Sequence, residues 1–306
     1  MPPFLSAVPP KIRCSVRGCG RPLICDSGGM RCEGGHQFDR NRFGYWNLTQ
    51  PQDRKSKQAG DHVDAVAARH RWVERDWMST LTDAMLTLCP DLKRADSIVD
   101  LGCGEGYFTQ RLARSESDSP GADPSEPEPS HAARSPAVCG MDLSVAALRS
   151  AAKRTDDICW VLANADRPLP LMDRSVQCVV SLFGRRPAAE IQRVLQPGGA
   201  FVFCLPGEED LIELRQAVQS AGHRRSRWAA AAQAISDQAP EMSMIRQSTW
   251  RRTAHLDQGA IADAMAMTYR GVRRSQRERL HALPEMTVTL SADIVLMRRN
   301  ANGDDR

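Results

Sequence analysis

From Ser97 the chain reads Ser-Ile-Val-Asp-Leu-Gly-Cys-Gly-Glu-Gly-Tyr-Phe: a short apolar run, a turn with glycine at alternate positions, and the start of a helix. Glycine lets a backbone reverse sharply and approach a ligand closely. The stretch therefore predicts a strand whose C-terminal end opens on a binding crevice. Beyond this first run, Ser97–Val99, further apolar runs follow at Ala137–Met141, Ile158–Leu162, Val176–Ser181 and Ala200–Leu205. Helical spacing fills the gaps at Tyr107–Arg114, Val145–Lys153 and Ala188–Leu195. Strands alternating with helices predict an α/β fold with a parallel, doubly wound, Rossmann-like sheet. Upstream, Val66, Val73, Trp77, Leu81 and Met85 recur at helical spacing and predict a helix from His62 to Leu88. Near the C-terminus, Thr287–Leu290 and Asp293–Met297 predict a closing antiparallel pair.

The glycine pattern is Asp100-x-Gly102-x-Gly104-x-Gly106, not the dinucleotide Gly-x-Gly-x-x-Gly. An acid just before the loop would repel a pyrophosphate but suits a cationic amino-acid moiety, which favours S-adenosylmethionine over NAD. A second acid should close the next strand, ~20 residues on, and hold ribose hydroxyls. Asp142 lies 40 positions past Gly102, or 18 once an intervening 22-residue segment is set aside. At the end of the third strand, Asn164-Ala165-Asp166 is placed to meet the adenine.

That intervening segment, 115–136, holds six Ser, five Pro, five acids and one Arg, with no Val, Ile, Leu, Phe or Trp. It cannot bury enough apolar surface to offset its ordering entropy and reads as a disordered insertion. Its acids mask a basic remainder: the whole chain of 306 residues carries only +4. Residues 1–60 hold ten Lys/Arg against four acids, and 215–280 hold twelve Arg against five acids, densest at Arg224-Arg225-Ser226-Arg227-Trp228. Phe38, Phe43, Tyr45 and Trp46 are interleaved with the first of these basic stretches. Basic residues among aromatics suit a nucleic-acid backbone and unstacked bases; a solvated basic face, with the aromatics packing against the body, is the alternative.

Ten cysteines are present, and Met1–Pro10 lacks the basic start and apolar core of a secretory signal. No apolar run approaches the ~20 residues of a membrane span. A soluble cytoplasmic protein with reduced thiols is expected. Cys139, Cys159, Cys178 and Cys204 sit inside apolar runs and read as small buried hydrophobes. Cys14-x4-Cys19 and Cys32-x3-His36, separated by twelve residues, instead supply two tight pairs of the kind a tetrahedral structural zinc site needs. Cys25, alone in the spacer, is the least suited ligand. A zinc-binding knob over 11–50 and a larger domain over 60–300 follow.

Together these signals resemble the bacterial 23S rRNA (guanine-N1)-methyltransferases, a family that includes macrolide-resistance enzymes. The resemblance rests on Cys32-Glu-Gly-Gly-His36-Gln37-Phe38-Asp39 with Phe43-Gly44-Tyr45-Trp46-Asn47-Leu48, on Gly60-Asp61 and Ala68-Arg69, and on the Asp100–Gly106 loop. Met141-Asp142-Leu143-Ser144, Arg193–Gly199, and Pro206-Gly207 with Leu211 and Leu214 extend it over nearly the whole chain. It implies that Cys14, Cys19, Cys32 and His36 bind zinc, and that Gly102, Gly104, Glu105, Gly106, Asp142 and Asn164 line an S-adenosylmethionine pocket. It also implies methylation of guanine N1 in a hairpin of 23S rRNA, by direct displacement from the sulfonium.

The chain departs from the family at several places. The first zinc pair is widened from Cys-x2-Cys, and a Gly-His-Tyr element falls on Asp76-Trp77-Met78. A Phe-Ala-Pro lip is Phe183-Gly184-Arg185, a His is replaced by Asp210, and Met-Thr-Pro-x-x-Trp survives as Met267-Thr268. These changes motivate a second reading, a catalytically weakened homologue that binds RNA or ribosomal particles. Glu208, Glu209 and Asp210 could accept the N1 proton or form an ordinary acidic loop, so no catalytic residue is assigned. Expected partners are 23S rRNA and, in a homodimer, a second copy of the chain; a membrane is not expected.

Overall fold

The computed structural model describes residues 11–26, 29–51, 60–114, 137–218, 226–268 and 283–301. The expected insertion at 115–136 and the Arg224-Arg225 pair lie outside them. The chain starts with short strands β1 (Ile24–Asp26), β2 (Gly29–Arg31), β3 (Gln37–Phe38) and β4 (Trp46–Asn47). Then come α1 (Val63–Glu74), α2 (Ser79–Leu88), α3 (Asp91–Arg94), β5 (Ser97–Leu101), α4 (Tyr107–Ala113), β6 (Ala137–Asp142), α5 (Val145–Arg154) and β7 (Cys159–Leu162). The remainder is β8 (Val176–Leu182), α6 (Ala188–Val194), β9 (Leu195–Pro206), α7 (Ile212–Val218), α8 (Trp228–Gln238), β10 (Met242–Leu256), α9 (Gln258–Thr268) and β11 (Met286–Arg299).

Among the described residues, β1, β2 and β3 form a small antiparallel sheet, and the rest form one eight-stranded sheet ordered β10-β11-β9-β8-β5-β6-β7-β4. From β4 to β9 neighbouring strands run parallel, whereas β11 is antiparallel to both β9 and β10. Strand order reverses on either side of β5, which has β6 next to it on one edge and β8 on the other. Such a switch point leaves a crevice at the carboxyl ends of the strands.

All five residues of β5 are buried, as expected of a strand covered on both faces. Alternation splits them: Ile98 joins an apolar cluster with Leu81, Met85 and Leu148, while Val99 and Leu101 join one with Leu171, Ile191 and Phe203. Ile12, Met30, Phe38 and Leu48 belong to that second cluster, so the N-terminal module packs on the body. Its attachment is also hydrogen-bonded. Arg13 N donates to Pro170 O at 3.0 Å, and β4 extends the large sheet along β7.

Two expectations need correction. The helix from His62 to Leu88 is two helices, broken where Asp76 adopts φ +59°. Asp tolerates that left-handed conformation better than most residues. The freed Asp76 carbonyl accepts from Ser79 Oγ at 2.9 Å and from an Arg252 Nη1 at 2.9 Å. Periodicity does not register the break because apolar residues resume on the far side. The C-terminal pair is one strand, β11, paired along its length with β10 from Met242↔Arg299 to Leu256↔Met286. Ser291 and Ala292, which separate the two expected strands, are both buried inside β11, with Ser291 N donating to Asp210 Oδ1 and Thr249 Oγ1 to Asp293 Oδ1.

Candidate cofactor cavity and metal centre

Two tight turns bring the N-terminal Cys and His residues together. In the first, Cys19 N donates to Val16 O at 3.0 Å, and Gly18 and Gly20 take positive φ. In the second, Gly35 N donates to Cys32 O at 2.9 Å and Cys32 N to His36 O at 3.1 Å. The ligand atoms of Cys14, Cys19, Cys32 and His36 all lie within 4.8 Å of one another. Cys19 Sγ is 3.8 Å from Cys32 Sγ, and His36 Nδ1 is 3.5 Å from Cys14 Sγ and 3.4 Å from Cys32 Sγ. A tetrahedron with zinc–sulfur bonds of 2.3 Å has S···S edges of about 3.8 Å, so the spacing fits zinc. Gly34 packs on the cluster, where a Cβ would stand 3.4 Å from both Cys19 Sγ and Cys32 Sγ. Burial opposes ionisation of Cys32, but hydrogen bonds from the His36 and Gly34 backbone and the His36 ring outweigh it and bring the thiol down to about 6. Cys25 is exposed and outside the group.

At the carboxyl ends of β5, β6 and β8 lies a cavity of about 480 Å3. Gly102, Gly104 and Glu105 line it with Asp100, Asp142 and Asn164. Gly102 (φ +80°) and Gly104 (φ +57°) shape the loop, and Gly104 N donates to Asp142 Oδ2 at 3.0 Å. Asp142 Oδ1 accepts from Ser144 N at 2.7 Å, which ties the start of α5 to the same carboxylate. Gly106, grouped with the loop residues in the sequence, does not line the cavity. A Cβ there would fall 2.6 Å from the Trp160 ring on β7 and 3.0 Å from Ala151 Cβ on α5, so its bare backbone makes room for these two side chains. Asn164 Oδ1 accepts from Asp166 N at 2.9 Å and fixes the turn after β7.

The cavity wall is acidic. Asp100 is 1% exposed and Glu105 3%, and Asp100 Oδ1 and Glu105 Oε2 have no hydrogen-bond partner. Burial raises the Asp100 carboxyl to about 7, with Asp142 and Glu105 adding repulsion and a hydrogen bond from Thr109 opposing both. Burial also pushes Glu105 and Asp142 above their ordinary values. Unpartnered buried acceptors are costly unless a ligand supplies the donor. This set fits the ammonium of an S-adenosylmethionine.

Glu208, Glu209 and Asp210 do not line the cavity. Asp210 is tied to Ser291 N at 3.0 Å, and Glu209 pairs with Arg251 at 3.0 Å. Trp77 packs edge-on against Trp72, and Met78 is buried in the core. Sequence reasoning assigned no role to Arg69, Phe183 and Arg185, all of which line the cavity. Arg69 pairs with Asp61 beside Gly104, and Arg185 reaches Asp166 at 3.5 Å. The match of Ala68-Arg69 and the altered lip at Phe183 were the available signals.

Residues 99–203 match a protein family described as a methyltransferase domain. Over 287 residues the chain is 28% identical to a 23S rRNA (guanine(748)-N(1))-methyltransferase of Streptomyces fradiae, covering 92% of this chain and 94% of that protein. It is 30% identical over 286 residues to a Bacillus subtilis (strain 168) protein whose name, 23S rRNA (guanine-N(1)-)-methyltransferase, is provisional, covering 90% of this chain and 91% of that one. Among the described residues no helix is long and apolar enough to cross a membrane. The likeness covers nine-tenths of the chain, and the chain belongs to the 23S rRNA (guanine-N1)-methyltransferase family.

Proposed function

We propose that this chain methylates N1 of a guanine in a hairpin of 23S rRNA, with S-adenosylmethionine as donor and zinc as a structural ion. The observation that carries the reading is the pair of buried, unpartnered carboxylate oxygens on Asp100 and Glu105 beside the glycine loop. A protein that only bound RNA would have no use for that pair. S-adenosylmethionine, when bound, supplies the electrophilic methyl group. Asp100 and Glu105 would receive its ammonium, Arg69 its carboxylate, Asp142 its ribose hydroxyls, and the Asn164 turn its adenine. Cys14, Cys19, Cys32 and His36 would hold the zinc, which closes the N-terminal module and leaves no open position for chemistry.

The enzyme's own contribution is then mainly positioning of the guanine against a fixed methyl donor. A base within a hairpin must leave its stack to reach the cavity, a cost of a few kcal/mol that protein contacts have to offset. The N1 proton must also leave, and Glu208, Glu209 and Asp210 stand away from the cavity wall, so none of them is assigned that role. Nucleoside profiles of 23S rRNA from a deletion strain and its parent test the proposal. A 1-methylguanosine present in the parent and lost in the deletion strain is the expected result; identical profiles would refute it.

A further inference from the structure

Phe183 follows β8 directly and lines the cofactor cavity. The residue is 43% exposed and is the only aromatic among the exposed large apolar residues that the structure describes. Its backbone is at φ +57°, a conformation disfavoured for a bulky L-residue, and such outliers cluster at functional sites. The surrounding turn is fastened on both sides. Phe183 N donates to Cys204 O at 3.0 Å, and Ser181 Oγ donates to Arg185 O at 2.9 Å. Arg186 Nη1 donates to Gly184 O at 2.9 Å. Gly184 sits too close to its surroundings to carry a side chain, since a Cβ would stand 2.9 Å from Leu101 O. The same backbone lies 3.5 Å from where a Cβ on Gly102 would project, so the Phe183 turn and the cofactor loop are packed together.

Phe183 is thus held in a left-handed turn on the cavity wall and left partly exposed. The other aromatic residue on the cavity wall, Phe108, is half-buried and engaged edge-on with Tyr107 at 5.1 Å. Phe183 has no comparable ring contact among the described residues. A partly exposed aromatic ring on the wall of a methyl-donor cavity suits the flat face of an unstacked purine.

We propose that Phe183 is the platform on which the extruded target guanine stacks, an inference that rests on the methyltransferase reading above. Its contribution is to RNA binding and base placement, not to cofactor binding. Base–aromatic stacking lost on truncation weakens binding by about 5- to 150-fold.

The test uses the full-length enzyme, a 23S rRNA hairpin transcript and labelled S-adenosylmethionine. Phe183→Ala should raise KM for the transcript by about 5- to 150-fold, with affinity for S-adenosylhomocysteine, read by calorimetry, within about twofold. Phe183→Gly, which relieves the left-handed backbone, should show the same RNA defect despite an equal or higher melting temperature. Phe183→Trp should restore KM, and Phe183→Leu should not. An unchanged KM in Phe183→Ala, or rescue by Leu equal to that by Trp, overturns the inference while leaving the enzyme reading intact. Absence of methyl transfer by the unaltered enzyme overturns both.

Discussion

Thr109 Oγ1 donates to Asp100 Oδ2 at 2.6 Å, while Asp100 Oδ1 is left buried and without a partner. One oxygen is thus anchored to α4 and the other is held ready for a ligand. Such a carboxylate is oriented before the ligand arrives, and less freedom is lost on binding.

The protonation of Asp100 sets a pH dependence. Burial lifts this carboxyl to about 7, whereas the unfolded chain ionises near 4. Between those values the folded protein holds a proton that the unfolded chain has lost. The resulting contribution to stability is present in full below about pH 4, falls as pH rises, and is gone above about 7. Binding a cationic ammonium has the opposite sign, because it requires the ionised acid. The affinity for S-adenosylhomocysteine should therefore weaken by up to about tenfold per pH unit below 7. In Asp100→Asn that acidic limb should flatten, with binding at pH 7.5 weaker by roughly 10- to 150-fold, as for loss of a charge-assisted hydrogen bond. Calorimetric titration from pH 5.5 to 8 reads both; an unaltered slope in Asp100→Asn would remove Asp100 from ammonium binding.

The metal cluster gives a second contrast. Cys32→Ala removes a ligand and should abolish near-stoichiometric zinc in the purified protein, measured by elemental analysis. Melting temperature should fall with it, because binding free energy at a structural site adds to folding free energy. Cys25→Ser should keep both, since Cys25 is exposed and outside the cluster. Equal zinc content in the two variants would refute the ligand assignment.

Much of this was legible in the residues. The central strands and their helices, the two tight Cys/His pairs and the glycine loop appear as local patterns, and local patterns survive into the structure. What was not legible depends on contacts distant in sequence. The break at Asp76 is held by Arg252, 176 residues on, and β11 is one strand because β9 and β10 flank it. Gly106 shares its spacing with Gly102 and Gly104, yet its neighbours are Trp160 and Ala151. Spacing alone cannot separate a glycine on the cavity wall from one packed against a tryptophan.

Gly140, in the middle of β6, tests that distinction. A Cβ there would sit 2.4 Å from the fully buried Trp160 ring and 3.1 Å from Cys103 Sγ. The Trp160 indole cannot swing aside freely, because its Nε1 donates to Thr155 O at 3.2 Å. Gly140→Ala should destabilise by about 1–3 kcal/mol through overpacking. Combining it with Trp160→Leu, which vacates the space, should cost less than the two single changes summed. Additive denaturation midpoints would show that the clash is relieved elsewhere.

Arg154 links the cofactor loop to the helices behind it. Its Nε donates to Glu105 O at 2.9 Å, and its Nη2 reaches Glu74 Oε1 at 2.7 Å and His70 Nδ1 at 3.0 Å. Only a planar guanidinium can serve a loop carbonyl and two groups on α1 at once, since its donors are fixed in a fork. Arg154→Met should lower stability by about 1.5–3 kcal/mol, the scale of hydrogen bonds to a charged group. It should also weaken S-adenosylhomocysteine binding, because Glu105 loses the anchor on its carbonyl. Arg154→Lys should recover little of either, for an ammonium retains the charge without the fork. The decisive comparison is cofactor affinity between the two variants: full recovery in Arg154→Lys would mean that charge alone holds the loop and that the three-way geometry is incidental.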